Sequence, residues 1–160
     1  MRLIIDGIEF RPVGKYGIII PHYFVSKCGK VWSDKKEDYL SVYENWRQKK
    51  GVGKPKCYEF SMTTEGKPFW DAGHQHKPKR KGSTVIEFRH KLHQAVKEAW
   101  EPYEDYLNTL NREELIVLAK ESMLIDHKDD DVSNNNLNNL QYSTPLKNSN
   151  HRKLWVDITS

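Results

Sequence analysis

Cysteine is scarce in this chain. Only Cys28 and Cys57 occur among 160 residues. No Cys-x-x-Cys pair is present, so a zinc ribbon or another four-cysteine zinc site is excluded on ligand count. Nothing points to an oxidising compartment, and two free thiols in a cytosolic protein is the plainer reading, though the pair could close one disulfide. Long apolar runs are missing too. No segment approaches the roughly 18 apolar residues of a membrane span. The start, Met1-Arg-Leu-Ile-Ile-Asp6, has no long apolar run and carries a charge, so it is not a signal peptide. The expectation is a soluble, cytoplasmic protein. Charge of one sign does not dominate either. The net charge is +4 and the pI about 8.9, which permits binding to a polyanion without requiring it.

What is present is polar but not disordered. Hydrophobic residues make up 37 % and charged residues 30 %, yet five Trp, eight Tyr and five Phe argue for packed cores. The length suits one domain, or two small ones with modest cores. Basic residues are unevenly placed. Arg47, Lys49, Lys50, Lys54 and Lys56 form one stretch, and His76, Lys77, Lys79, Arg80 and Lys81 a second. Acidic residues gather at Glu98 to Glu104 and at Asp129 to Asp131.

The first 44 or so residues read as short strands. Leu3 to Ile5, Gly17 to Ile20 and Tyr39 to Tyr43 are β-prone, with Gly, Pro and Asp between them. Tyr23 to Ser33 reads as a hairpin turning at Lys27 to Lys30. Residues 45–57 form a basic loop, Cys57 to Met62 a strand, and residues 64–83 a long loop without periodicity. Thr84 to Phe88 is again a strand. Leu92, Ala95, Val96, Ala99 and Trp100 then fall at helical spacing and give an amphipathic helix ended by Pro102. A second helix is expected over Asn111 to Met123, with Asn111 as N-cap and Glu113 and Glu114 in its first turn.

The last segment carries the chemistry. Met123 to His127 is a strand, Lys128 to Asn136 a charged loop, and Leu137 to Tyr142 a second strand. Thr144-Pro145 starts a helix, with Thr as cap and Pro in the first turn. Asp126 and His127 are adjacent on a strand, so their side chains point to opposite sides. Asn148 lies one turn into the terminal helix, with His151 on the same face. Phosphodiester hydrolysis needs a base to activate water and a cation to stabilise phosphate charge. A histidine supplies such a base, and a carboxylate with an amide oxygen suits Mg²⁺ or Mn²⁺.

The run Ile125-Asp-His-Lys-Asp-Asp-Asp-Val-Ser-Asn-Asn-Asn-Leu-Asn-Asn-Leu-Gln-Tyr-Ser-Thr-Pro-Leu-Lys-Asn148 resembles the HNH homing endonucleases of phages and mobile introns. Their pattern is Asp-His, a loop rich in Asp and Asn, Asn-Leu, an aromatic, Thr and a downstream Asn. Where that family has a loop Gly, this chain has Asp130 or Asp131, and Asp accepts a left-handed backbone better than most residues. Leu92-His-Gln-Ala-Val-Lys-Glu-Ala-Trp100 is similar to the helix that precedes the HNH core. Tyr23-Phe-Val-Ser through Gly29-Lys-Val-Trp-Ser33 is similar to an N-terminal module of these proteins. Residues 44–83 match nothing recognisable.

The resemblance implies an α+β fold, with a small β-rich N-terminal module over residues 1–82 and a ββα-metal (HNH) nuclease core over 83–160. It implies His127 as general base, Asp126 and Asn148 as holders of one divalent cation, Mg²⁺ or Mn²⁺, and Asn139 as a brace that orients His127. The partner implied is double-stranded DNA, cut inside a bacterial host cell by a monomer. The two basic stretches and His151 are the expected phosphate contacts.

Plainer readings stand beside these. An Asp-His pair at a strand end is usually a polar edge. The Asp129 to Asp131 run lacks the Gly and distal Glu of an EF-hand loop. Gly73-His-Gln-His76 has no third ligand nearby and reads as a solvated loop. Two rival functions remain: a DNA-binding protein on a decayed HNH core, which binds with strong salt dependence but cuts nothing, and a phage packaging or adaptor protein, which an exposed apolar patch would favour.

Overall fold

The computed structural model describes residues 1–46 and 49–147. The chain divides into two compact units. The first comprises Met1–Pro68 and His76–Tyr106, and the second Phe69–Gln75 and the chain from Leu107 onward. Both α-helices and β-strands are present, with strand the more abundant, so the class is mixed α+β.

The first unit opens with a five-stranded antiparallel meander in sequence order: β1 (Leu3–Ile5), β2 (Ile8–Lys15), β3 (Ile18–Ser26), β4 (Val31–Ser33) and β5 (Asp38–Tyr39). Tyr16 and Gly17, at φ +54° and +74°, close β2 onto β3 in the two-residue turn whose twist matches flanking strands. The β2–β3 pairing shifts register between Pro12 and Gly14, and this irregularity helps the sheet curl. The expected hairpin is present, with Tyr23 opposite Ser33 and Val25 opposite Val31. Its turn is closed by Ser26 N–H donating to Lys30 O at 2.9 Å.

A second antiparallel sheet consists of β6 (Tyr43–Asn45), β7 (Cys57–Glu65) and β8 (Val85–Lys91). Strand alternation sorts its faces: Phe60, Met62, Ile86, Phe88 and His90 are buried, whereas Ser61, Glu87 and Arg89 are exposed. Helix α1 (Lys67–Asp71) falls in the β7–β8 connection, and α2 (Leu92–Trp100) follows β8 directly. Helix α2 packs on β2 and β7 and touches β3 and β8, and so joins the two sheets of this unit. The core holds Phe10, Val13, Val25, Phe60, Met62, Ile86 and Ala95, all 0 % exposed. A fully buried side chain of the larger kind contributes about 1.5–3 kcal/mol by leaving water.

One polar group sits in that core. The His90 ring is 2 % exposed, and its Nε2–H donates to Gly14 O at 2.9 Å. Among the described residues, Nδ1 has no hydrogen-bond partner. Burial pushes the ring's pKa down to about 4, because a buried imidazolium would lose its hydration.

Helix α3 (Tyr103–Leu107) leads to the second unit, where α4 (Arg112–Ser122) is followed by β9 (Leu124–His127), a 3₁₀ turn (Leu137–Asn139) and β10 (Leu140–Ser143). Asn111 caps α4: its Oδ1 accepts from Glu114 N–H at 2.8 Å, as the sequence suggests. Strands β9 and β10 pair antiparallel, with His127 opposite Leu140 and Asp126 opposite Gln141. Residues 145–147 are helical, and Thr144 Oγ1 accepts from Lys147 N–H at 3.3 Å.

Several expectations need correction. Tyr39 to Tyr43 is not one strand, because β5 ends at Tyr39 and β6 starts at Tyr43 in a different sheet. Residues 64–83 are not a featureless loop: they hold the end of β7, α1 and a bridge from Pro78 to Ile86. The second strand of the C-terminal hairpin is shorter than Leu137 to Tyr142, since Leu137–Asn139 winds as a 3₁₀ turn. β8 pairs with β7 over seven residue pairs from Glu59 opposite Lys91 to Glu65 opposite Val85, which holds β8 and α2 in the first unit. Among the described residues, no helix is long and apolar enough to cross a membrane.

Candidate functional site

The β9–β10 hairpin brings together what the sequence singles out between Asp126 and Asn139. Antiparallel pairing sets Gln141 opposite Asp126, and Gln141 Nε2 donates to Asp126 Oδ2 at 3.1 Å. Asp126 is 7 % exposed. A carboxylate that deep keeps its charge only with compensation from donors or a cation. His127, the next residue, is half-buried on the other side of the strand. Its Nε2 lies 2.9 Å from Asn135 Oδ1. An amide oxygen only accepts, so Nε2 is the donor in this contact, and in the neutral ring the lone pair falls to Nδ1.

The loop between the strands is tied by its own side chains. Asn139, 8 % exposed, donates from Nδ2 to Asp129 Oδ1 at 2.8 Å and to Asn134 O at 2.9 Å. Its Oδ1 accepts from Asp129 N–H at 3.2 Å, and its carbonyl from Lys128 N–H at 2.8 Å. Asn139 therefore braces the loop directly. The contact to the His127 ring comes from Asn135. Asp130 stands at φ +59°, in the left-handed region. The Asp129 carboxyl is held below its ordinary range, first by Asn134 Nδ2 donating to it, then by the Asp131 N–H and Asn139. Asp131 is lowered chiefly by the hydroxyl and N–H of Ser133.

Among the described residues, no three His, Cys, Asp or Glu side chains converge as a metal cage. The pair named by the resemblance is one carboxylate and one amide. Asp126 is a buried hard-oxygen donor and fits half of that pair. Asn148, His151 and Arg47 lie outside the described residues.

No family model, no curated protein and no solved structure matches this chain. The functional reading rests on the residues and their geometry.

The expected phosphate contacts among the described residues fall on two segments that flank β7 and β8. Lys49, Lys50, Lys54 and Lys56 are exposed before β7, and Lys77, Lys79, Arg80 and Lys81 are exposed before β8. β7 and β8 run antiparallel, so the two stretches join the sheet from opposite ends, and the second also runs along β8, with Pro78 bridged to Ile86. Lys79 is engaged within the unit, with its Nζ 2.6 Å from Glu87 Oε2. Sequence reasoning missed Gln141 and Asn135. Gln141 follows from strand register, which two alternating strands could have yielded. Asn135 stands in a run of three Asn, Asn134 to Asn136, where nothing marks one amide over its neighbours.

Proposed function

We propose that the second unit hydrolyses DNA phosphodiester bonds with the help of a divalent cation, on a ββα-metal core of HNH type. The observation that carries this reading is His127, whose Nε2–H is spent on Asn135 Oδ1 at 2.9 Å beside the buried Asp126. Nδ1 is then the free base for an attacking water. Asp126 and Asn148 would hold Mg²⁺ or Mn²⁺, which when bound supplies charge stabilisation at the phosphate. Asp126 is kept in place by Gln141 Nε2. Asn139 and Asp129 set the loop that presents Asn135 to the ring. The chain's partner on this reading is double-stranded DNA in a bacterial cell, and a monomer suffices because one centre cuts one strand at a time.

The test is conversion of supercoiled plasmid to nicked circles with Mg²⁺, Mn²⁺ or EDTA. Wild type should nick with metal and not with EDTA, and His127→Ala should lose about 100-fold or more. A folded wild type that cuts neither plasmid nor genomic DNA sinks the reading.

One observation favours a second reading, an adaptor that docks another protein. Helix α4 buries no residue, and Leu115, Ile116, Val117 and Leu118 are 37–53 % exposed. Nicking by the isolated chain decides for the nuclease.

A further inference from the structure

In the first unit, two cations share one aromatic ring. The Arg11 guanidinium carbon lies 4.3 Å from the Trp100 ring centroid and Lys27 Nζ 4.9 Å from it. The ring is fixed, because Trp100 Nε1–H donates to Val25 O at 3.1 Å. The Lys27 turn is fixed as well. Gly29 sits at φ +84°, and a Cβ there would come 3.3 Å from Leu92 Cδ2, so the turn lies tight against the start of α2. Lys30, on the same turn, lies 5.5 Å over Tyr39.

Two like charges are thus held at most about 9 Å apart, close to the Debye length of about 8 Å at physiological salt. Among the described residues, neither forms an ion pair with a carboxylate. Cation–π contact holds each charge in place without neutralising it. Two such charges repel each other, and a nearby anion relieves that repulsion. Arg11 also lines a groove of about 1220 Å³ whose other lining residues include Glu9, Glu98 and Glu104. Those carboxylates repel phosphate, so an anion meets Arg11 from outside the groove.

We propose that Arg11 and Lys27, seated on Trp100, bind the phosphate backbone of a nucleic acid. A polymer fits better than a small anion: the cations lie on a surface, and a row of phosphates engages neighbouring cations together. This deepens the nuclease reading by naming a backbone contact that neither basic stretch supplies.

The experiment measures binding of the full chain to a fluorescent random-sequence duplex, by anisotropy, across a KCl series in EDTA. EDTA separates binding from cutting. Arg11→Gln/Lys27→Gln should flatten the slope of log K against log salt by about 1.8, the value for two lost phosphate contacts. Affinity near 0.1 M salt should fall about tenfold or more. Lys35→Gln/Lys36→Gln, on the β4–β5 turn, should leave the slope unchanged. Arg11→Lys should keep the wild-type slope, which a merely structural Arg11 would not predict. Should the double variant fail to fold, Lys27→Glu leaves the Arg11 stack intact and should still flatten the slope. An unchanged slope in the variants, an equal change in both double variants, or a wild type that binds no duplex overturns the clamp. Normal salt-dependent binding through these residues without plasmid nicking would overturn the nuclease reading and keep the clamp.

Discussion

His127 and His90 show how position divides two identical side chains. His127 sits half-buried at a strand end with one nitrogen committed to Asn135. His90 is sealed between sheets, and its cost emerges only when it must take a proton. Its folded pKa of about 4 lies below the ordinary 6.5. The folded state therefore binds fewer protons than the unfolded chain, and stability from this group is complete above pH 6.5 and lost as pH falls toward 4. The loss is about 3 kcal/mol when complete. Urea titrations at pH 7.5 and 4.5 should show this fall, and His90→Phe should flatten it. Asp129 and Asp131 also have lowered carboxyls, but they act below their ordinary value of 3.8, outside this window. An equal fall in His90→Phe would assign the effect elsewhere. Alternation around Phe88 places His90 on the inner face once the strand is drawn. That its Nδ1 finds no partner among the described residues is a matter of three-dimensional packing and is not written locally.

At the scale of elements, local rules succeeded where one periodicity or one cap decides. The α2 spacing, the Asn111 cap and the Tyr23 to Ser33 hairpin are in place because each depends on neighbours within a few residues. Residues 64–83 failed because α1 is only a five-residue turn of helix, too short for periodicity to show. The C-terminal loop lies between these cases. Asp130 takes φ +59°, the position where a left-handed residue is required, and only a choice between Asp130 and Asp131 was open from sequence. Two substitutions isolate that backbone term, since both remove the same side chain. Asp130→Gly should be more stable than Asp130→Ala by about 1 kcal/mol, because only Ala suffers at positive φ. Equal denaturation midpoints for the two would show that the loop relaxes out of the left-handed region.

For the whole molecule, burial is unevenly shared. Among the described residues, every buried apolar side chain except Phe69 belongs to the first unit. The second unit's buried residues are otherwise Asp126, Asn139 and Ser143. Hydrogen bonds contribute about 1 kcal/mol each, less than a buried Phe or Ile. Amide exchange should therefore be slower in β7 and β8 than in β9 and β10. Millimolar Mg²⁺ should slow exchange over residues 124–143 and leave residues 57–65 unaffected, as expected of a ligand that binds one unit. Uniform slowing, or none, would count against Asp126 as a cation holder. This imbalance could not be read from composition, because the apolar residues of α4 look like core in sequence and stand exposed in the fold.

The path of the chain has one more consequence. It leaves the first unit after Pro68, returns at His76, and leaves again after Tyr106. Neither unit is a single stretch of gene. A cassette spanning only residues 107–160 would leave behind the Phe69–Gln75 excursion that clusters with it. A cassette spanning residues 1–106 would carry that piece away, with the buried Phe69, from its surroundings. Recombination that trades such modules between proteins at one crossover would break both.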